Sequence, residues 1–350
     1  MKKIKRALIS VSDKKNLRNL LKILKKFNVE IISSGGTFKE IKRLKFKCIE
    51  VSDYTNFPEI LGGRLKTLHP KIHGGILNIR NNKKHSKDLK KNNFKNIDLV
   101  IVNFYPFEKI MQKTKIHKKI IENIDIGGPT MVRAAAKNYN DVTTLTSLDQ
   151  YPNLINQLNK NNGSTSLEFR KKMSQIAFTE TAYYDSLIAN YFNKISNNHF
   201  PEKKIFHSKF IEKLRYGENP HQQSSIYVND YNDKNIGFNQ IHGKELSYNN
   251  YNDMFASLNI LNSLKKNSGT VVIKHANPCG VSENKVPIVS FKNAYASDPI
   301  SAFGGVIACN YKITKKIASE IIKNFLEVIL APSYDKEALK ILKSKKNLRI

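Results

Sequence analysis

Residues 99–102 read Leu-Val-Ile-Val, apolar at every position rather than at every second one. A strand with one face in water alternates. A strand that does not alternate must be covered on both faces, as in a parallel sheet held between helices. The surrounding sequence meets that demand. "ALISVS" (7–12) precedes "KKNLRNLLKILKKF" (14–27), in which Leu17, Leu20, Leu21 and Leu24 fall on one helical face. "EIISSGGT" (30–37) reads as a strand and a Gly turn, and "FKEIKRL" (38–44) resumes a helix. "IDLVIVNFYPF" (97–107) reads as a buried strand ended at Pro106. The alternation over residues 1–147 predicts an α/β fold with a parallel sheet and helices on both faces. Ligands of such folds bind beyond the carboxyl ends of the strands. The polar and Gly-rich segments Ser10–Lys14, Ser33–Thr37 and Asn103–Tyr105 fall at those ends.

Residues 151–195 read as a helical extension, with "SLEFRKKMSQIAFTETAYYDSLIANYF" (166–192) its longest piece. The polar stretch "NKISNNHFPEKK" (193–204) contains Pro201 and loses periodicity, which predicts domains at 1–198 and 199–350. The second domain mixes strand-like "GTVVIKH" (269–275), "GGVIACN" (304–310) and "LEVILAP" (326–332) with helices. The last residues, "KKNLRI", read as the start of another strand, so the second domain is expected to be incomplete.

The 350 residues carry 59 Lys and Arg against 29 Asp and Glu, a net charge of +30. The excess is mostly Lys and spread along the chain. No RNP-like aromatic motif, zinc-finger spacing or Arg-rich arm accompanies it, so no nucleic-acid partner is expected. The field still draws anionic ligands toward clefts. No run of about 18 apolar residues occurs, and no membrane partner is expected. Cys48, Cys279 and Cys309 are far apart and form no C-x-x-C pair, as suits a reducing cytoplasm.

Four stretches carry candidate chemistry. "SSGGT" (33–37) puts glycines and helix-start amides after a strand, where an anion can approach, although a Gly-Gly pair also serves as a plain turn. "GGRLKTLHPKIHGG" (62–75) packs Arg64, Lys66, Thr67, His69, Lys71 and His73 between Gly pairs, either as a clamp for an anion or as a solvated loop. "ENIDIGGPTMVRAAAKNY" (122–139) sets Asp125 before a helix and Lys137 along it. Asp125 could simply cap the helix and Lys137 lie on the surface, yet the alanines of "RAAAKN" point to close packing around Lys137. The fourth stretch, "VIKHANPCGVS" (272–282), nearly spells the zinc-deaminase signature H-x-E…P-C-x-x-C. Asn277 replaces the Glu and Ser282 the second Cys, so no metal is expected. Lys274 and His275 remain, with "RYGENPHQ" (215–222) and "SDPISAFGG" (297–305) as polar or Gly-bearing companions.

Taken in order, "SVSDK", "SSGGT", "GRLKTLHPKIHGGIL", "VNFYPF" and "DIGGPTMVRAAAKN" resemble the inosine monophosphate (IMP) cyclohydrolase domain of a bifunctional purine-biosynthesis family. The later motifs resemble that family's aminoimidazole-carboxamide ribonucleotide (AICAR) transformylase domain. The resemblance implies a methylglyoxal-synthase-like N-terminal domain and the N-terminal part of a cytidine-deaminase-like domain lacking zinc. It implies that Ser12, Asp13, Lys14, Ser34, Gly35, Gly36 and Thr37 bind the nucleotide, mainly its phosphate. Arg64, Leu65, Lys66 and Thr67 would hold the ribonucleotide further, and Val102, Asn103, Asp125 and Ile126 would meet the base. Lys66, Tyr105, Asp125 and Lys137 would be catalytic, Lys137 moving a proton.

In the second domain the resemblance implies that Arg215, Tyr216, Gly304 and Glu327 bind AICAR. His275 would accept the proton and Lys274 would stabilise the transition state. It further implies 10-formyltetrahydrofolate as co-substrate, purine ribonucleotides as substrates, a homodimer, and formyl transfer followed by dehydrating ring closure. The shortened second domain leaves an alternative, ring closure alone.

Overall fold

The computed structural model describes residues 1–229 and 237–350. The non-alternating run becomes strand β4 of a five-stranded, all-parallel sheet formed by β1 (Arg6–Val11), β2 (Glu30–Ser33), β3 (Ile49–Glu50), β4 (Leu99–Asn103) and β5 (Thr143–Leu145). Their spatial order is β3-β2-β1-β4-β5. Register places Ala7 opposite Leu99 and Val11 opposite Asn103. The chain winds one way from β1 through β2 to β3 and the other way through β4 to β5. The point of reversal therefore lies between β1 and β4, where folds of this kind open a crevice.

Both faces are covered, as the sequence required. Ala7, Ile9, Val11, Leu99 and Ile101 pack with α1 (Leu17–Lys26) and with Tyr151, Leu154, Leu158 and Met173. Leu8, Ile32, Val100 and Val102 pack on the other side with Ile72 and Ile76 of α3 (Pro70–Leu77) and with Met131, Val132 and Ala135. Each large aliphatic side chain so removed from water contributes about 1.5–3 kcal/mol. Helix α2 (Gly35–Arg43) follows β2, and α4 (Gly127–Lys137) precedes β5. The helical extension is α5 (Tyr151–Lys160) and the 29-residue α6 (Leu167–Ile195).

The chain divides into two compact units, Met1–His207 and Ser208–Ile350. The second unit opens with an antiparallel pair, β6 (Lys209–Lys213) and β7 (Ser225–Val228). Helix α7 (Tyr248–Leu261) leads into β8 (Gly269–Lys274), which turns straight back as β9 (Asn277–Glu283). Sequence reading placed β8 but not β9. Helix α8 (Pro287–Ala296), β10 (Val306–Cys309), α9 (Lys315–Ile321), β11 (Val328–Leu330) and α10 (Lys336–Lys343) follow. The order is β9-β8-β10-β11, with β10 and β11 parallel and the other pairs antiparallel. Val272 faces Gly280 while Ile273 faces Pro278, so Cys279 is an extra residue, a bulge.

Candidate functional site

The first site forms at the carboxyl ends of β1, β2 and β4. β1 runs out at Val11, and the next residues are gathered by one side chain. Asn103 Oδ1 accepts hydrogen bonds from the Ser12 N–H at 2.6 Å, the Ser12 hydroxyl at 2.7 Å and the Asp13 N–H at 3.0 Å. The loop after β1 is thereby tied to the end of β4 across the reversal point. Asn103 and the Ser12–Lys14 loop thus share one crevice, although Asn103 shapes the loop rather than standing free in it.

Ser34 enters α2 in extended backbone, and Gly35 follows at φ 53°, a left-handed value that glycine takes without strain. Two ammonium groups border the space a side chain would fill. A Cβ built on Gly35 would lie 3.6 Å from Lys66 Nζ, and one on Gly36 would lie 3.7 Å from Lys14 Nζ. Two lysines on a glycine pair at a helix start form a cradle for an anion of phosphate size. The Thr37 hydroxyl takes no part in that cradle. It accepts from Val11 N–H and donates to Val11 O, both at 3.0 Å, closing α2 onto β1. Val102 is likewise buried in the core, where its backbone pairs with Ser10 of β1.

Lys66 also ties this cradle to the segment that leads into α4. Its positive charge acts on Asp125, just ahead of α4. Asp125 Oδ1 accepts the Gly128 N–H at 2.8 Å, and the Tyr105 N–H donates to the same carboxylate. Burial outweighs these three influences and raises the Asp125 carboxyl above its ordinary value. A Cβ on Gly128 would fall 2.5 Å from Asp125 Oδ2, and one on Gly127 would fall 2.6 Å from Thr67 Oγ1. The Gly pair is what lets Asp125 and the buried Thr67 close on the start of α4. Asp125 thus caps the helix, and the charge of Lys66 acts on the same carboxylate. Sequence reasoning missed Tyr184 on α6, whose hydroxyl accepts the Asp125 N–H at 2.8 Å. Burial lifts that hydroxyl to about 12, so it stays protonated.

Other members of the predicted clamp lie elsewhere. Arg64 is exposed and pairs with Glu122. Leu65 bridges to Ile60 in the same turn. His69 Nδ1 accepts the Lys71 N–H at 3.0 Å and caps α3, while the Lys71 ammonium sits 5.2 Å from the Tyr54 ring centre. These two serve local structure. Tyr105 and Ile126 are exposed at 41% and 59%, with side chains open to an incoming ligand. Lys137 is also exposed, and does not have the close packing expected from "RAAAKN". The alanines pack toward the sheet, and Lys137 ends α4 on its solvent side. It lies ten residues after Gly127, about 15 Å along the axis. A side chain pointing back along the helix does not close that gap. Within one chain, Lys66 and the Tyr105 amide act on Asp125, while Lys137 stands at the other end of α4.

The second site gathers around a cavity of about 350 Å³ whose lining includes Arg215, Tyr216, Phe325, Glu327 and Arg349. The Arg215 guanidinium lies 4.6 Å from the Tyr216 ring centre and donates to its hydroxyl at 2.7 Å. Glu327 Oε2 accepts from Asn250 Nδ2 at 2.9 Å and from Arg349 Nη1 at 3.2 Å. The buried Asn250 and Arg349 thus hold one carboxylate oxygen. Neither was singled out in the sequence; Arg349 sits in "KKNLRI", which read only as a strand start.

Gly304 donates its N–H to the Phe325 carbonyl at 2.8 Å, which joins the Gly-bearing loop to the cavity wall. Lys274 Nζ donates to the Phe303 carbonyl at 2.7 Å. That uses one of its three N–H donors. His275 is exposed at the tip of the β8–β9 hairpin, not a core histidine. It and Ala276 both have left-handed backbone, which costs a non-glycine residue roughly 1–2 kcal/mol. Among the described residues no three His, Cys, Asp or Glu side chains converge as a metal site.

Residues 135–350 match the family model described as the AICARFT/IMPCHase bienzyme, and residues 16–130 match that of the MGS-like domain. The bifunctional purine biosynthesis protein PurH of Thermoanaerobacter sp. (strain X514) is 47% identical over 99% of this chain and 68% of its own length. PurH of Bradyrhizobium diazoefficiens is 44% identical over 100% of this chain and 66% of its own, and PurH of Buchnera aphidicola subsp. Schizaphis graminum 48% over 99% and 67%. The chain thus spans about two thirds of the length of these relatives. With both parts of the chain matched and identity near one half, the chain belongs to the AICARFT/IMPCHase bienzyme family of bifunctional purine biosynthesis proteins.

Proposed function

We propose that the chain catalyses two successive steps of purine synthesis in the cytoplasm: formyl transfer from 10-formyltetrahydrofolate to AICAR, then ring closure of the formylated product to IMP with loss of water. The observation that carries this reading is the position of Lys66, whose ammonium lies by the Gly35–Gly36 turn and acts on Asp125. A phosphate in the cradle of Lys14, Lys66, Gly35 and Gly36 would bring the nucleotide's base within reach of Asp125 and Tyr105.

Ring closure joins the carboxamide nitrogen to the formyl carbon of the same molecule, so orientation supplies much of the rate. The carboxamide nitrogen loses one proton, the formamide nitrogen loses its own as the C=N bond forms, and the former formyl oxygen leaves with both as water. A carboxylate with a raised pKa suits the first task and can return the proton in the second. Lys66 stabilises charge on that oxygen. Lys137 can meet the nucleotide from a second copy of the chain, in keeping with a homodimer.

In the second unit, Arg215, Tyr216, Gly304 and Glu327 bind AICAR. His275 takes the proton of the 5-amine as it attacks the formyl carbon, and the free N–H donors of Lys274 meet the oxygen of the tetrahedral intermediate. Collapse breaks the bond from the formyl carbon to the folate nitrogen, which takes up the proton. The test is product formation from each half-substrate. Lys66→Ala should slow IMP formation from formylated AICAR by about 100-fold or more, and His275→Ala should slow formylation similarly. Undiminished turnover in either variant removes that residue's role.

A further inference from the structure

The hairpin that carries His275 reverses in two residues, His275 at φ 55° and Ala276 at φ 58°. Two-residue loops of this kind favour Asn and Gly, because a Cβ is crowded in left-handed backbone. This loop has neither, so its conformation needs a hold from the surrounding structure. Within the hairpin, Asn277 Nδ2 donates to the His275 carbonyl at 2.9 Å. From outside it, Asp253 Oδ1 on α7 accepts the Ala276 N–H at 2.7 Å.

Helix α7 is a firm place from which to hold. Ser247 and Asn250 close its first turn as a reciprocal capping box. Met254 is buried with Val306 and Val328, and Leu261 with Val271 and Ile273. Asn250 and Asp253 are three residues apart and so are neighbours on one helical face. The first holds Glu327 and the second holds the His275 turn. One helix face therefore orients two parts of the same site.

We propose that Asp253 is a positioning residue: its carboxylate fixes the left-handed His275–Ala276 turn and thereby sets where the His275 imidazole points during formyl transfer. The proposal rests on the reading of His275 given above. It is tested with Asp253→Ala and Asp253→Asn, each with and without Ala276→Gly, with thermal melting to confirm folding. Asp253→Ala should lower kcat for formylation by about 100-fold, as expected for a misaimed catalytic group, with KM for AICAR little changed. Asp253→Asn keeps an acceptor oxygen in place and should lose much less. Adding Ala276→Gly to Asp253→Ala should recover about tenfold, because glycine adopts the turn unaided.

Equal loss in Asp253→Asn and Asp253→Ala, or no recovery with Ala276→Gly, overturns the proposal in favour of a role for the carboxylate's charge. Hydrogen exchange at the Ala276 amide reads the hold without turnover. Protection lost in Asp253→Ala supports the proposal, and unchanged protection overturns it. Full formylation by His275→Ala would instead remove the underlying role of His275, an outcome separate from the exchange result.

Discussion

Burial keeps the Asp125 carboxyl above the usual carboxylate range, although the Gly128 and Tyr105 amides and Lys66 all pull it down. The stability consequence has a definite sign. A carboxyl whose folded pKa exceeds its unfolded one binds more protons when folded, so stability falls as pH rises from the unfolded value through the folded one. Above that window the folded protein bears the full desolvation penalty of the ionised side chain. Asp125→Asn should therefore raise the melting temperature at pH 7, and the gain should vanish below about pH 3.9, where the unfolded carboxyl is itself protonated. The same variant should slow ring closure by 10²–10⁴-fold, roughly the contribution of a general base. A calorimetric scan across pH, beside a turnover assay, checks both. A variant that melted lower at pH 7 would contradict the sign.

Glycine placement shows how elements are fitted together. A Cβ on Gly280 of β9 would run into the Ala294 carbonyl of α8, and backbone cannot yield as a flexible side chain does. Gly280→Ala should cost about 3 kcal/mol, the upper end for overpacking, and urea unfolding should register it. The sequence told much at this scale. Leu17, Leu20, Leu21 and Leu24 announced α1, and the unbroken run at 99–102 announced a strand covered on both sides. It also drew attention to the Gly35–Gly36 turn and to Asp125, although a plain turn and a helix cap would read the same way. It hid β9, because "NPCGVSE" carries Pro278, Gly280 and the Cys279 bulge and has no strand periodicity. It hid Tyr184, Asn250, Asp253 and Arg349 because each acts through a partner distant in sequence. It misled on Lys137, since alanines describe the buried face of α4 and Lys137 lies on the other.

For the molecule as a whole, the position of Lys137 makes the strongest demand. Asp125 precedes α4 and Lys137 ends it, so one helix separates two groups assigned to one reaction. Co-expressing Asp125→Asn with Lys137→Ala tests the proposed exchange between copies. Each variant alone should close the ring at least about 100-fold more slowly than wild type. Random pairing makes half the dimers mixed, each with one intact site, and should restore about a quarter of wild-type activity. A mixture as inactive as its parents would return Lys137 to its own chain's chemistry or remove it altogether. If the lysine is lent across copies, a lone chain is short of one working part. Specific activity would then fall on dilution even at saturating nucleotide, and the loss would reverse on concentrating the sample.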